Sequence, residues 1–289
     1  MSQERKVEAL PKLPLRPAEG HKGMFGRVLV VGGHQEMVGA PVLAGTAALR
    51  MGAGLVQIAV PREILTLAIS ITPELIGLGL GKTAGERRLI EACEVADALV
   101  IGPGMGRSRD LANRVLRLVR LEKAMVVDAD GLNALATQKS WPKDFAGRAV
   151  LTPHPGEMAR LGHFFGRSDV PKDEPGRIEI AIDAAKALGQ VLVLKGHRTV
   201  VSDGTRYYVN GTGDSTLSKA GAGDVLSGMI GCLLGQRMAG FEAAVAAVWL
   251  HGKAGELAGK KHGTRSALAS EVIGEIAAAV GEYEGISGS

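Results

Sequence analysis

Short runs of apolar residues alternate along this chain with longer stretches in which apolar positions recur every three or four residues. The runs at 28–31, 55–60, 98–101, 125–128, 149–151 and 191–194 are nearly continuous in apolar character, which predicts strands buried on both faces. Helical spacing over 41–51, 87–95, 111–120, 156–162 and 178–188 fills the gaps between them. Weaker strand signals at 199–202 and 207–209, joined through Asp203-Gly204, predict a hairpin. The last third reads as helices over 223–234, 242–257 and 271–283. Strands alternating with helices imply an α/β fold, with a mainly parallel sheet covered on both faces. Residues 1–20, with Pro11, Pro14 and Pro17, read as an extended arm that packs against the body or a neighbouring subunit. No composition break divides residues 21–289, which are expected to form one domain.

In open α/β sheets, ligands collect beyond the carboxyl ends of the strands, and the polar and glycine-rich segments of this chain follow its strands. They are Gly32-Gly33-His34, Gly102-Pro103-Gly104-Met105-Gly106, Asp128-Ala129-Asp130-Gly131-Leu132-Asn133, Thr152-Pro153-His154-Pro155-Gly156-Glu157 and Lys195-Gly196-His197-Arg198-Thr199. Five such loops describe one long cleft. A sixth segment, Lys219-Ala220-Gly221-Ala222-Gly223-Asp224, precedes an apolar run at helical spacing: Val225, Leu226, Met229, Ile230 and Leu233. It predicts a tight loop feeding a buried helix, with Gly221 and Gly223 leaving bare amides for an anion. Asp224 would repel a phosphate, and it makes chemical sense as a base that deprotonates a hydroxyl while the amides hold a phosphoryl group. An acidic residue in the first helical turn after a glycine turn is the plainer alternative.

The other polar positions leave two readings each. Glu157 either complements a helix dipole or holds a hydrated magnesium ion. His154 is a hydrogen-bonding ligand contact or a general base. Asp128, taken as the last strand residue, and Asp130 point the same way by alternation, either to orient magnesium or the Asp224 site, or to bond loop amides. Asn133 is a ligand contact or a cap, and Gly32-Gly33 a strand-end turn or a substrate contact. In Val38-Gly39-Ala40-Pro41, Pro41 suits a first helical turn, and Gly39 and Ala40 leave free amides with little side-chain bulk. Lys195 and Arg198 place two positive charges where a nucleotide phosphate or ribose would sit, although a solvated turn looks similar. Gly102-x-Gly104-x-Gly106 lacks the final spacing of a dinucleotide fingerprint and follows an internal strand.

Composition narrows the classes. Glycine, at 41 of 289 residues, is roughly twice its usual share. The net charge of +4 suits anionic small molecules, while 3% aromatic residues are too few for a base-stacking platform, so nucleic acid is not an expected partner. Cys93 and Cys232 form neither a metal-ligand spacing nor a disulfide framework, so a reducing cytoplasmic setting is expected. No apolar run reaches the length of a membrane span. Trp141 and Trp249 receive no role.

Taken in order, these motifs resemble the ribokinase-like superfamily and, more closely, the ADP-dependent NAD(P)H-hydrate dehydratases. The likeness covers roughly residues 20–280, the extent of a single domain. It rests on His21-Lys22-Gly23 with Gly26, Val38-Gly39-Ala40-Pro41, Thr72-Pro73-Glu74, Ile101-Gly102-Pro103-Gly104-Met105-Gly106, the Asp128 and Thr152 loops, Lys195-Gly196 and the Asp224 loop. The resemblance implies a three-layer αβα sandwich. It implies contacts of Ala40, Gly104 or Gly106, His154 and Asp224 with hydrated NADH or NADPH. Lys195, Gly196, His197, Arg198, Thr199 and Gly223, with Gly221 beside them, would hold ADP as co-substrate, with Mg2+. The implied reaction converts the S-form of NAD(P)H hydrate to NAD(P)H, with AMP and phosphate released, and Asp224 as catalytic residue. A homo-oligomer, tetrameric in form, is the implied assembly, with an epimerase acting separately upstream. An ATP-dependent kinase of a vitamin precursor or sugar shares the Asp224 loop and stands as the alternative. A non-enzymatic nucleotide sensor would need no base. The departures from the family pattern lie at Asp214 to Gly221, where many relatives carry Asn-Pro-Gly-Met-Ala-Thr-Gly-Gly. Asp214 and Lys219 change the local charge there, which bears on nucleotide preference.

Overall fold

The computed structural model describes residues 5–81, 85–139, 145–167 and 169–285. Trp141 and the first four residues of the arm lie outside the described residues. In chain order the elements are β1 (Arg5–Lys6), β2 (Arg27–Val31), α1 (Gly39–Arg50), β3 (Leu55–Pro61), α2 (Arg62–Ile71), β4 (Ile76–Leu80), α3 (Gly85–Val95) and β5 (Ala98–Ile101). Then come α4 (Arg109–Val119), β6 (Ala124–Val127), α5 (Asp130–Ala136), β7 (Arg148–Leu151), α6 (Pro155–Leu161), α7 (Glu174–Leu188) and β8 (Val191–Leu194). The chain ends with β9 (Val200–Ser202), β10 (Arg206–Val209), α8 (Ala222–Gly235), α9 (Gly240–His262), α10 (Ala269–Gly274) and α11 (Ile276–Tyr283).

The strands form one sheet in the order β1-β10-β9-β8-β7-β6-β5-β2-β3-β4. Pairing is parallel throughout, except where β9 runs antiparallel to β8 and β10. Alternation along each strand divides the core. Val28 and Val30 of β2, with Ala98 and Val100 of β5, face a layer containing α1, α8 and α9. Leu29, Val31, Leu99 and Ile101 face the opposite layer, containing α3, α4, α5 and α7. A strand buried on both sides must be apolar at every position, which is why the strand runs are continuous. The result is the three-layer αβα arrangement. The arm is tied to the body: β1 pairs with β10, Arg16 Nη1 donates to the Gly52 carbonyl (2.7 Å), and the Tyr283 hydroxyl donates to the Pro11 carbonyl (2.6 Å).

Besides the two-residue β1 within the arm, three elements escape the sequence pattern. β4 reads Ile76-Gly77-Leu78-Gly79-Leu80, a poor strand by propensity. Its glycines make room for α2: a Cβ on Gly77 would lie 2.5 Å from Leu65 Cδ1 and one on Gly79 3.2 Å from Leu65 Cδ2, so the leucine would have to shift. In α2 itself, Ile64 and Ala68 are buried while Leu67 and Ile71 are exposed, which blurs the helical stripe. The third is the short helix α5. The stretch 271–283 is two helices, α10 and α11, that meet at Glu275. Among the described residues no helix is long and apolar enough to cross a membrane.

Candidate functional site

Helix α8 is buried almost all round because glycines let it approach its neighbours. A Cβ on Gly228 would fall 2.0 Å from the Ala44 carbonyl oxygen of α1, and one on Gly231 would fall 2.4 Å from Val100 Cγ2 of β5. This close packing brings the amino end of α8 to the carboxyl ends of the strands, beside the start of α1. Gly221 caps α8 at φ 91°, a conformation open to glycine. The amides of Gly223 and Asp224 meet no protein acceptor among the described residues. Such amides, with the helix dipole behind them, are available to an anion.

A compact charge cluster lies under these amides. Asp128, 1% exposed, accepts from Lys195 Nζ at Oδ1 (2.6 Å) and from the Ser227 hydroxyl at Oδ2 (2.6 Å). Lys195 Nζ also stands 3.9 Å from Glu157 Oε2. One ammonium thus faces three carboxyl groups when Asp224 is counted. Burial raises the Asp224 carboxyl to about 7, and Asp128 adds to the rise while Lys195 opposes it. Glu157 is raised mainly by burial. For Lys195, burial alone would lower the value, and Asp128 and Glu157 override it to give a net rise.

The strand ends at Val127, and Ala129 takes φ 48°, so alternation does not govern Asp128 and Asp130. Asp128 turns to the lysine and serine. Asp130 accepts from the Gly106 amide (2.9 Å) and from Asn133 Nδ2 (3.2 Å), and Asn133 Oδ1 accepts from Arg160 Nε (2.8 Å). Asn133 therefore links α5 to α6 and is not a cap.

His154 is the N-cap of α6. Its Nδ1 accepts from the amides of Gly156 (3.0 Å) and Glu157 (3.3 Å), and Glu157 Oε2 accepts from the His154 amide (2.8 Å). This capping box fixes the ring and leaves Nε2 3.4 Å from Glu157 Oε1. With Nδ1 an acceptor in that box, the ring is not placed as a general base. The loops after β2 and β5 are in direct contact: Gly33 N donates to the Pro103 carbonyl (2.9 Å), and a Cβ on Gly32 would sit 2.2 Å from that oxygen. Ala40 and Gly104 belong to the same wall, since a Cβ on Gly104 would come 2.9 Å from Ala40 Cβ. Together these contacts make a packed, side-chain-poor surface. Gly104 at φ 59° and Gly106 at φ 78° hold turns that favour glycine.

Lys195, Gly196, His197, Arg198 and Thr199 line one end of a cavity of about 350 Å³ that reaches Gly223, Asp214 and His251. Neither cation is solvated in isolation: Lys195 is paired with Asp128, and Arg198 with Glu174 of α7. Gly221 stands just outside the lining, as the cap. Asp214 accepts from the Thr216 amide (2.8 Å), so this departure from the family pattern caps a turn in the cavity wall. His251, Asn210 and Ser227 carry no sequence signal comparable to the loops, although Ser227 lies one helical turn beyond Asp224. Burial lowers His251 to about 4, and its Nε2 lacks a partner among the described residues.

Magnesium fits this donor set only in part. Both oxygens of Asp128 and one of Glu157 are already engaged, and among the described residues no group of three or more His, Cys, Asp or Glu is placed to hold a metal. The carboxyl excess around Lys195 suits an ion held through water and phosphate oxygens.

Sheet order and the two covered faces give the ribokinase-like fold. A family model described as NAD(P)H-hydrate dehydratase matches residues 28–278, and the chain belongs to that family. The bifunctional NAD(P)H-hydrate repair enzyme of Moorella thermoacetica is 43% identical over 272 residues, which cover 91% of this chain and 50% of the relative. The chain thus spans about half the length of the bifunctional relatives it matches. The ADP-dependent (S)-NAD(P)H-hydrate dehydratase of Neisseria meningitidis is 37% identical, with 91% of this chain and 86% of the relative covered. Among solved structures, the ADP/ATP-dependent NAD(P)H-hydrate dehydratase of Bacillus subtilis, co-crystallised with ATP/Mg2+, superposes with a TM-score of 0.81 at 33% identity. That match covers 94% of each chain.

Proposed function

We propose that this protein dehydrates the S-form of NAD(P)H hydrate at the expense of ADP, releasing NAD(P)H, AMP and phosphate. The observation that carries the reading is Asp224: a buried carboxyl raised to about 7, beside its own amide and that of Gly223, which meet no protein acceptor among the described residues. A base near neutrality is matched to deprotonating a hydroxyl. The alcohol on the hydrated nicotinamide ring gives its proton to Asp224 as its oxygen bonds the terminal phosphorus of ADP, and the bond from that phosphorus to AMP breaks. Amides of Gly223 and Asp224 stabilise the equatorial charge. The ring now carries a phosphate ester, a better leaving group than hydroxide. The ring-nitrogen lone pair expels phosphate, and the adjacent carbon loses a proton to restore the double bond.

The remaining residues take positioning roles in this reading. Lys195 keeps two N–H donors beyond its bond to Asp128, and these are directed at the ADP phosphates. Gly196, His197, Arg198, Thr199 and Gly223 line the nucleotide cavity, and Gly221 sets the helix end. Ala40, Gly104, Gly106 and His154 form the bare wall for the nicotinamide side. Mg2+, held through water near Glu157, would supply charge neutralisation on the phosphates. The deciding experiment incubates the protein with hydrated NADH, ADP and magnesium and follows reduced-nicotinamide absorbance. Recovery of the absorbance with stoichiometric AMP supports the reading. Flat absorbance with phosphorylation of a vitamin or sugar alcohol would assign a kinase.

A further inference from the structure

The segment from Lys195 to Thr199 leaves β8 through two residues of positive φ, Gly196 at 144° and Arg198 at 54°. Its Gly196, His197 and Arg198 amides meet no protein acceptor among the described residues. Glycine opposes peptide rotation only weakly, so a group outside the segment must fix where these amides point. The first turn of α7 supplies that group. Arg177 Nη2 donates to the carbonyls of Leu194 (3.2 Å) and Lys195 (3.4 Å). A Cβ on Gly196 would lie 2.9 Å from Arg177 Nη1, so the guanidinium is packed against the bare face of that glycine. Glu174, three residues earlier on the same helix face, is paired with Arg198. Arg177 is half-buried, and burial holds its pKa below the ordinary arginine value against the pull of Glu174. Its guanidinium is thus spent on two backbone carbonyls, a costly use of a partly desolvated cation.

We infer that Arg177 is a positioning residue for the nucleotide: it locks the peptide between Lys195 and Gly196 so that the lysine ammonium and the free amides converge on ADP. The inference rests on the reading of this cavity as the ADP site. Arg177 does not line the cavity and acts through its neighbours. The Lys195 main chain is fixed on one side by its amide, which donates to the Pro153 carbonyl (2.9 Å), and on the other by Arg177. Without the guanidinium the second anchor is lost, and Gly196 is free to turn its amide away. Ordering it again on binding costs affinity. A lysine at 177 keeps the charge but offers no planar fork to span two carbonyls. Glu174 provides a second, more exposed tie through Arg198.

The test is calorimetric titration of ADP into the intact protein and into Arg177→Ala, Arg177→Lys and Glu174→Gln. Arg177→Ala is expected to weaken Kd for ADP about tenfold with the binding stoichiometry unchanged. Arg177→Lys should fall between it and the parent, and Glu174→Gln should cost about threefold. A residue that only supports the fold gives the other pattern, a stoichiometry that drops with the folded fraction while Kd stays at the parent value. That pattern, or Arg177→Lys as weak as Arg177→Ala, would overturn the inference. Melting profiles establish folding, and Arg177→Gln replaces Arg177→Ala in the comparison should the latter unfold. An intact protein that binds no ADP removes the nucleotide reading and this inference together. ADP binding in the parent with unaltered Kd in every variant removes this inference alone.

Discussion

Ionising Asp224 puts a negative charge into a pocket that already holds Asp128 and Glu157, and two consequences follow from its value of about 7. As a base it must be deprotonated, so kcat/KM should fall about tenfold per pH unit below about 7. Asp224→Asn should lower kcat by roughly two to four orders of magnitude and leave ADP binding measurable by calorimetry. Retention of a tenth of the activity would remove the base role. The same group acts on stability with the opposite sign from an ordinary paired carboxylate. Its folded value lies above the unfolded one, so the folded form holds the extra proton, and stability falls as pH rises from about 4 to about 7. Asp224→Asn should therefore be more resistant to denaturant at pH 8, by on the order of 1–4 kcal/mol. Near pH 4 it should match the parent. Lys195→Ala leaves Asp128 buried without its cation, so beyond weakening ADP it should cost about 3–5 kcal/mol of stability. Adding Asp128→Asn should recover part of that loss, and a double-mutant cycle in urea reads the coupling.

At the scale of elements, catalysis depends on how α8 meets α1. Their contact is backbone against side-chain-free backbone at Gly228, and a methyl group there would strike the Ala44 carbonyl. Gly228→Ala should destabilise by about 2–3 kcal/mol. It should also lower activity in excess of any loss in folded fraction, because it tilts Asp224 away from the α1 wall. The start of α1 offers the opposite case. Ala40 is packed against Gly104, so enlarging it disturbs the fold, whereas a Cβ on Gly39 meets nothing within 4 Å. Gly39→Phe should change stability by no more than about 0.5 kcal/mol and raise KM for hydrated NADH about tenfold. An unaltered KM would move the nicotinamide away from this wall.

For the whole molecule, the cavity lined by Lys195 and His251 and the cavity lined by Arg107 and Arg160 share no lining residue. ADP and dinucleotide should consequently bind together. Each ligand at a hundredfold excess over its Kd stabilises the folded state by about 2.7 kcal/mol. The rise in melting temperature with ADP should thus increase further when NADPH is added. Mutual displacement would place both ligands in one cavity. The glycine loops after β2 and β5 meet where the strand order reverses, the place where open α/β sheets bind ligands.

Much of this was legible in the linear chain because each feature there has a local cause. Apolar runs such as Val28 to Val31 identify strands buried on both faces, and Gly221-Ala222-Gly223-Asp224 ahead of an apolar run identifies a glycine-capped helix with a carboxyl in its first turn. Asp203-Gly204 marks the hairpin through its turn chemistry alone. Features that depend on a distant neighbour were not legible. β4 looks too glycine-rich for a strand until α2 lies over it. His154 reads equally as a ligand contact or a general base until Glu157 closes the capping box. Lys195 looks like a free phosphate ligand until the fold brings Asp128, 67 residues away, to 2.6 Å. The residue types and the order of the loops were determined by sequence. Which charges neutralise one another, and hence why Asp224 titrates near neutrality, was decided by the tertiary structure, because burial and charge proximity belong to space and not to sequence distance.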